Sequence, residues 1–144
     1  MKHKGKFTPI NPQKYRGDAS NIIYRSSWEK RVMLWLDKHS QVISWSSEEI
    51  VVPYKSPADG RFHRYFVDFY AQIRDRNGKL NSYLLEIKPK KQSLIESRTA
   101  SARDRAVVAL NHAKWQAANA YCKQQGYTFR VITEDDLFYN GRKK

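Results

Sequence analysis

One cysteine, Cys122, in 144 residues excludes an internal disulfide framework and fits a reducing compartment. No stretch approaches the roughly 20 apolar residues of a membrane-spanning helix, and no signal-peptide pattern opens the chain. The expectation is a protein without a membrane partner. A glycine-rich phosphate loop, zinc-ligand spacing and a nucleophile elbow are all missing, which sets aside the chemistries those motifs carry. His63 and His112 have no acid or serine partner at a recognisable spacing and are read as non-catalytic. Acidic residues are scarce: 14 Asp and Glu stand against 27 Lys and Arg, a formal net charge of +13. Such an excess favours polyanions, either nucleic acid or, less well given the missing apolar stretches, an anionic membrane surface. An RNA-binding module fits less well, because the aromatics fall at core spacing and no base-stacking sheet signature is present.

What is present suffices for a core: 40% of residues are hydrophobic and 13% aromatic, in a chain of single-domain length. Residues 1–25 are basic and punctuated by Pro9 and Pro12, with Lys2, Lys4, Lys6, Lys14 and Arg16 among them, and read as an extended basic arm. A domain over 26–138 follows, then a basic tail over 139–144. The spacing predicts a helix over 27–39, with Trp28, Val32, Trp35 and Leu36 as its apolar stripe. Strands are expected over 42–47 and 49–54, then a hairpin of strands 64–74 and 79–88. A basic connector leads to a long helix over 104–125 that Gly126 stops. A strand over 127–132 and a capped helical turn from Thr133 complete the chain. The predicted fold is α/β, a mixed β-sheet flanked by helices in the order α-β-β-β-α-β-α, with the hairpin counted once.

The chemistry lies in the predicted hairpin. Asp68 sits in RYFVDFY at 64–70, and Glu86 and Lys88 end the apolar run NSYLLEIK at 81–88. Strand side chains alternate, so Glu86 and Lys88 share a face. Whether Asp68 meets them depends on the turn at Asp75-Arg76-Asn77-Gly78. A two-residue Asn-Gly turn would place Asp68 opposite Ile87, on the wrong face. A three-residue loop with Gly78 left-handed pairs Asp75 with Lys79, and counting back sets Asp68 opposite Glu86. Two carboxylates on one face repel unless a cation lies between them, and Mg²⁺ favours one or two carboxylates with waters and phosphate oxygens. The bland alternatives are an exposed aspartate and a strand-end ion pair. Against the first, a carboxylate beside Phe66 and Tyr70 needs a partner.

Glu29 has two readings. Ser26 and Glu29 form a capping-box pattern, or Glu29 reaches from the first helix as a metal ligand or water-orienting acid. Lys114 stands in an apolar helical stripe and either snorkels outward or points at a phosphate. Lys14, Arg16, Lys90, Lys91, Arg98, Arg103 and Lys114 are the candidate phosphate contacts, which set affinity but carry no sequence information.

At these residues the chain resembles the PD-(D/E)XK, restriction-endonuclease-like nuclease superfamily. Glu29, Asp68 and Glu86-Ile87-Lys88 match its order of helix acid, strand aspartate and Glu-x-Lys, with Val67 where proline is usual. YRSSWE at 24–29 through WSSEEIVVPY at 45–54, and HRYFVD at 63–68 with LEIKPKK at 85–91, resemble the head-completion nucleases of T4-like tailed phages. Transposon end-cleaving endonuclease subunits are similar in carrying the helix glutamate. The resemblance implies a Mg²⁺- or Mn²⁺-dependent DNA endonuclease without strong sequence specificity. Asp68, Glu86, the Ile87 carbonyl and Glu29 would hold the metal, and Lys88 would stabilise charge on the phosphate. It implies action on packaged DNA before tail attachment, with portal-vertex or neck proteins as partners, in the host cytoplasm or the virion, and a homodimer as one assembly. The alternative is a non-catalytic, DNA-binding plug of the portal.

Overall fold

The computed structural model describes residues 2–90 and 101–137. Its centre is a four-stranded mixed sheet, β3 (Val42–Ser47), β6 (Phe69–Arg74), β7 (Leu80–Ile87) and β8 (Thr128–Ile132), in that spatial order. The first three strands run antiparallel and β8 runs parallel to β7. A parallel neighbour requires a crossover, and α2 (Ala102–Gln125) provides one. Ser101 caps α2 by accepting the Asp104 N–H at 3.0 Å, and Gly126 ends it in the left-handed region at φ 78°.

The segment expected to be an extended arm is folded. It forms β1 (Lys2–Phe7) and β2 (Ile22–Ser26), an antiparallel pair, with a 3₁₀ turn at Pro12–Lys14 between them. Phe7, Tyr15, Ile22 and Tyr24 are buried against α1 (Ser27–Lys38) and the sheet, where Trp45 is fully enclosed. Aromatic and branched residues between the lysines thus outweigh the arm-like charge, because burying each contributes about 1.5–3 kcal/mol.

The stripe of α1 also differs from expectation. Val32, Met33 and Leu36 face the core while Trp35 is 48% exposed and lies against His39. Asp37 is buried as well, and its carboxylate accepts the backbone N–H groups of Ile10 and Asn11.

Two cores lie on opposite faces of the sheet. Phe69, Ala71, Leu85 and Ile87 pack toward α1 and the N-terminal pair. Tyr70 and Leu84 pack toward α2, with Ala118 and the Cys122 thiol, which burial pushes up to about 11. This second core includes a separate hairpin, β4 (Val51–Lys55) with β5 (Phe62–Phe66). The predicted 64–74 strand is therefore two strands in two sheets, broken at Val67 and Asp68. Between the 47↔69 and 51↔66 pairs, residues 48–50 stand opposite only 67 and 68. One extra residue on one side is a β-bulge, which bends the pair. A short helix, α3 (Glu134–Leu137), closes the described chain, its first amides capped by Thr133. The observed order therefore adds β1 and β2 before α1 and has five strands, β3 to β7, before α2.

Candidate active site

The register that joins the two acids is set at the turn. Asp75 N–H donates to the Lys79 carbonyl at 2.8 Å and Gly78 N–H to the Asp75 carbonyl at 2.9 Å, with Gly78 at φ 84°. The Asp75 side chain also accepts the amides of Asn77 and Lys79. The loop is thus the three-residue form, and the ladder runs back through Arg74↔Leu80 to Phe69↔Leu85. One further step sets Asp68 opposite Glu86.

Asp68 has left the ladder by that point, and its side chain replaces a ladder bond. Its Oδ2 accepts the Ile87 N–H at 2.8 Å, while its backbone carbonyl accepts the Glu48 N–H at 3.1 Å. Dense protein surrounds the carboxylate, yet part of the residue stays open to solvent. Burial first, and the Glu86 charge second, push the Asp68 carboxyl well above the usual carboxylate range.

Glu86 is 5% exposed. Its Oε1 accepts the Tyr65 hydroxyl at 2.6 Å, and its Oε2 lies 3.5 Å from Lys88 Nζ. Tyr65 was not foreseen as a site residue. In an unbroken strand it would point away from Asp68, three residues on. The break at 67–68 turns it onto the Glu86 side, while Phe66, expected beside Asp68, is 45% exposed.

Glu29 forms one half of the expected capping box. Its backbone N–H donates to Ser26 Oγ at 3.2 Å, so the helix cap forms, but its carboxylate accepts the N–H of Arg25 at 2.9 Å instead of that of Ser26. Burial raises the Glu29 carboxyl above its ordinary value, with Glu48 and Glu86 adding to the rise and Arg25 opposing it. Glu29 therefore stands within the field of the acid pair. Among the described residues no group of three or more His, Cys, Asp or Glu side chains is placed to hold a metal ion. Asp68 and Glu86 form a carboxylate pair, a donor set that would suit a hard divalent ion completing its shell with water and phosphate oxygens.

The basic residues divide. Lys114 is half-buried, its ammonium 5.8 and 5.5 Å from the ring centres of Tyr54 and Tyr65. Burial first, and Lys88 second, lower its pKa, with Glu86 and Asp68 acting against them. It thus lies on the Tyr65 side of the acid pair. Arg103 is exposed on the first turn of α2.

Lys14 has a different task from the one expected: Nζ donates to the Asp37 and His39 carbonyls, both at 2.9 Å, at the C-terminal end of α1. Arg16 lies over the Tyr70 ring and donates to its hydroxyl at 3.3 Å. Lys90 pairs with Asp135 at 2.9 Å. Lys91 and Arg98 lie outside the described residues. His63 does have an acid partner, Asp59 at 2.8 Å, in an exposed pair at the β4–β5 connection.

Comparison with known proteins gives three findings. Residues 39–134 match the family model described as TnsA-like endonuclease N terminal. That span contains Asp68, Glu86 and Lys88 and stops short of Glu29. The chain is similar, at 39% identity over 95% of both chains, to the head completion nuclease of Enterobacteria phage T4. A stretch of 73 residues is 33% identical to the pre-mRNA-splicing factor SYF1 of Pyricularia oryzae, covering 51% of this chain but 8% of that protein.

Proposed function

Because the chain belongs to the TnsA-like N-terminal endonuclease family, we propose that it hydrolyses DNA phosphodiester bonds at Asp68, Glu86 and Lys88 during completion of a phage head. The observation that carries this reading is the register setting Asp68 opposite Glu86, with Lys88 Nζ 3.5 Å from the same carboxylate. Asp68, Glu86 and the Ile87 carbonyl would hold a divalent ion, Mg²⁺ or Mn²⁺, with Glu29 as an outer acid. When bound, such an ion polarises the scissile phosphate and lowers the pKa of water.

The protein's own groups do the rest. The Ile87 amide and the Tyr65 hydroxyl fix the two carboxylates before substrate arrives, so little reorganisation is needed. The Lys88 ammonium, tethered to Glu86, donates to a non-bridging oxygen as charge builds there. Glu29 accepts a hydrogen bond from the attacking water and orients it. One P–O bond forms to that water, which gives a proton to solvent, and one ester P–O bond breaks, its sugar oxygen taking a proton from solvent, without change of oxidation state. Lys114 and Arg103 contact flanking phosphates, which gives affinity without sequence preference. None of the described helices resembles a base-reading helix, so an end or a branch in packaged DNA is the expected target. Portal or neck proteins are the expected partners, in the host cytoplasm or on the virion, and a pair of chains would convert nicking into double-strand cleavage. No described helix is long and apolar enough to cross a membrane.

The test is plasmid cleavage with Mg²⁺, with Mn²⁺ and with chelator, for wild type and Asp68→Ala. Metal-dependent cutting by wild type that Asp68→Ala loses is the expected result. Intact DNA under both metals, with binding retained, would instead establish the non-catalytic plug.

A further inference from the structure

Glu48 is the single non-glycine residue with positive φ among the described residues, at 56°. Left-handed backbone is costly for a side chain with a Cβ. Glutamate has no special tolerance of it, so surrounding bonds must hold the conformation. Those bonds all lead to the site. Glu48 lies in the three-residue stretch opposite Val67 and Asp68, and its N–H donates to the Asp68 carbonyl at 3.1 Å. Its carboxylate takes the Arg25 guanidinium in a two-pronged grip, Nε to Oε2 at 3.0 Å and an Nη to Oε1 at 2.8 Å. The Arg25 backbone N–H then donates to Glu29 Oε1 at 2.9 Å. An unbroken chain of bonds thus runs from the Asp68 backbone through Glu48 and Arg25 to the Glu29 carboxylate. It joins the bend of the sheet to the start of α1.

We propose that Glu48 is a positioning residue. It is the bulge residue whose amide sets the Asp68 bend and whose carboxylate, by gripping Arg25, fixes the backbone N–H that holds the Glu29 carboxylate. The proposal rests on the nuclease reading for its consequence in catalysis, and on the hydrogen-bond chain alone for its structural content. Bidentate Arg–carboxylate pairs fix geometry as well as supplying energy, and the grip is what a glutamate at this strained position provides. The hydrogen bonds of the Glu48 side chain go to Arg25, so it acts through that residue. Its effect on cleavage therefore depends on Glu29 being present.

A double-mutant cycle tests this. Glu48→Asn keeps a side chain that tolerates left-handed backbone but is too short to grip Arg25, and Glu29→Gln removes the acid at the far end. The expected result is about a tenfold loss of cleavage rate for Glu48→Asn in the wild-type background, and under twofold in the Glu29→Gln background. The charge exchange Arg25→Glu with Glu48→Arg should recover part of the loss. Equal losses in both backgrounds would overturn the proposal, since Glu48 would then act independently of Glu29.

A second readout needs no activity: hydrogen exchange of the Arg25 amide in the metal-free protein. Protection in wild type that falls at least tenfold in Glu48→Asn, at unchanged thermal midpoint, supports the grip. Unchanged protection overturns it. Should wild type fail to cut DNA at all, this exchange result still decides whether the chain of bonds exists, apart from the nuclease reading.

Discussion

Tyr65 and Glu86 lie in different sheets, yet the Tyr65 hydroxyl donates to Glu86 Oε1 at 2.6 Å. The bond fills one lone pair of a nearly buried carboxylate and fixes its rotamer, so that Oε2 meets Lys88. Burial, followed by the Glu86 charge, raises the phenol pKa and keeps the donor protonated. Tyr65→Phe should fold and cost about 1–3 kcal/mol in chemical denaturation, the range for a lost hydrogen bond to a buried charged group. Cleavage should fall about tenfold, equivalent to roughly 1.4 kcal/mol of barrier. An unchanged rate in a plasmid assay would remove Tyr65 from the site.

Asp68 gives the protein a pH-dependent weakness when no ion is bound. Its folded pKa lies above the unfolded value of about 3.9. The folded chain therefore binds that proton more tightly than the unfolded chain, and stability falls as pH rises from the unfolded value through the folded one. Glu29, shifted the same way, adds to the fall. Asp18, Asp59 and Asp75, which hydrogen bonds shift downward, contribute stability that is lost only below about pH 4. In chelator, the urea midpoint should drop as pH rises above about 4. Asp68→Asn should flatten most of that slope and be the more stable protein at neutral pH. An equal slope in both proteins would show that Asp68 does not carry the strain.

Lys14 and Lys114 should separate stability from DNA affinity. Lys14→Ala leaves two carbonyls at the end of α1 without their cation and should cost about 1–2 kcal/mol with DNA affinity unchanged. Lys114→Ala should do the reverse. It should weaken binding and reduce the slope of log affinity against log salt by about one, the signature of a lost phosphate contact. Fluorescence anisotropy over a salt series reads both variants, and a full slope in Lys114→Ala would take Lys114 out of the DNA path.

Gly78 tests the register. Its φ of 84° is left-handed and a Cβ there would meet no other atom within 4 Å, so steric contact plays no part. Gly78→Ala should cost about 1 kcal/mol through backbone conformation alone. A cost near zero in thermal denaturation would mean the turn is free to change type.

The site was legible where local rules govern it. Asp75, Asn77 and Gly78 admit two loops, and only the three-residue one, which convergence of the acids requires, pairs Asp68 with Glu86 across seven positions. The helix limits at Ser26 and Gly126 were likewise written in capping residues. The bulge was not legible, because a glutamate at Glu48 carries no mark of left-handed backbone, and that one residue split a predicted strand and turned Tyr65 inward. Lys2, Lys4 and Lys6 disguised a strand as an arm, since the partners of Phe7 come from Trp45 and α1, far along the chain. Lys14 was misassigned for a similar reason: its acceptors lie 23 and 25 residues away.

The most direct test of the convergence of Asp68, Glu86 and Lys88 is single-turnover plasmid cleavage by Lys88→Ala, with DNA affinity measured in parallel. The account predicts Mg²⁺- or Mn²⁺-dependent cutting by wild type and a rate about 100-fold lower in the variant, typical for removing one donor from developing charge. Affinity should change by less than about twofold, because Lys88 serves the reacting phosphate more than overall binding. Cutting at the wild-type rate by Lys88→Ala would contradict it.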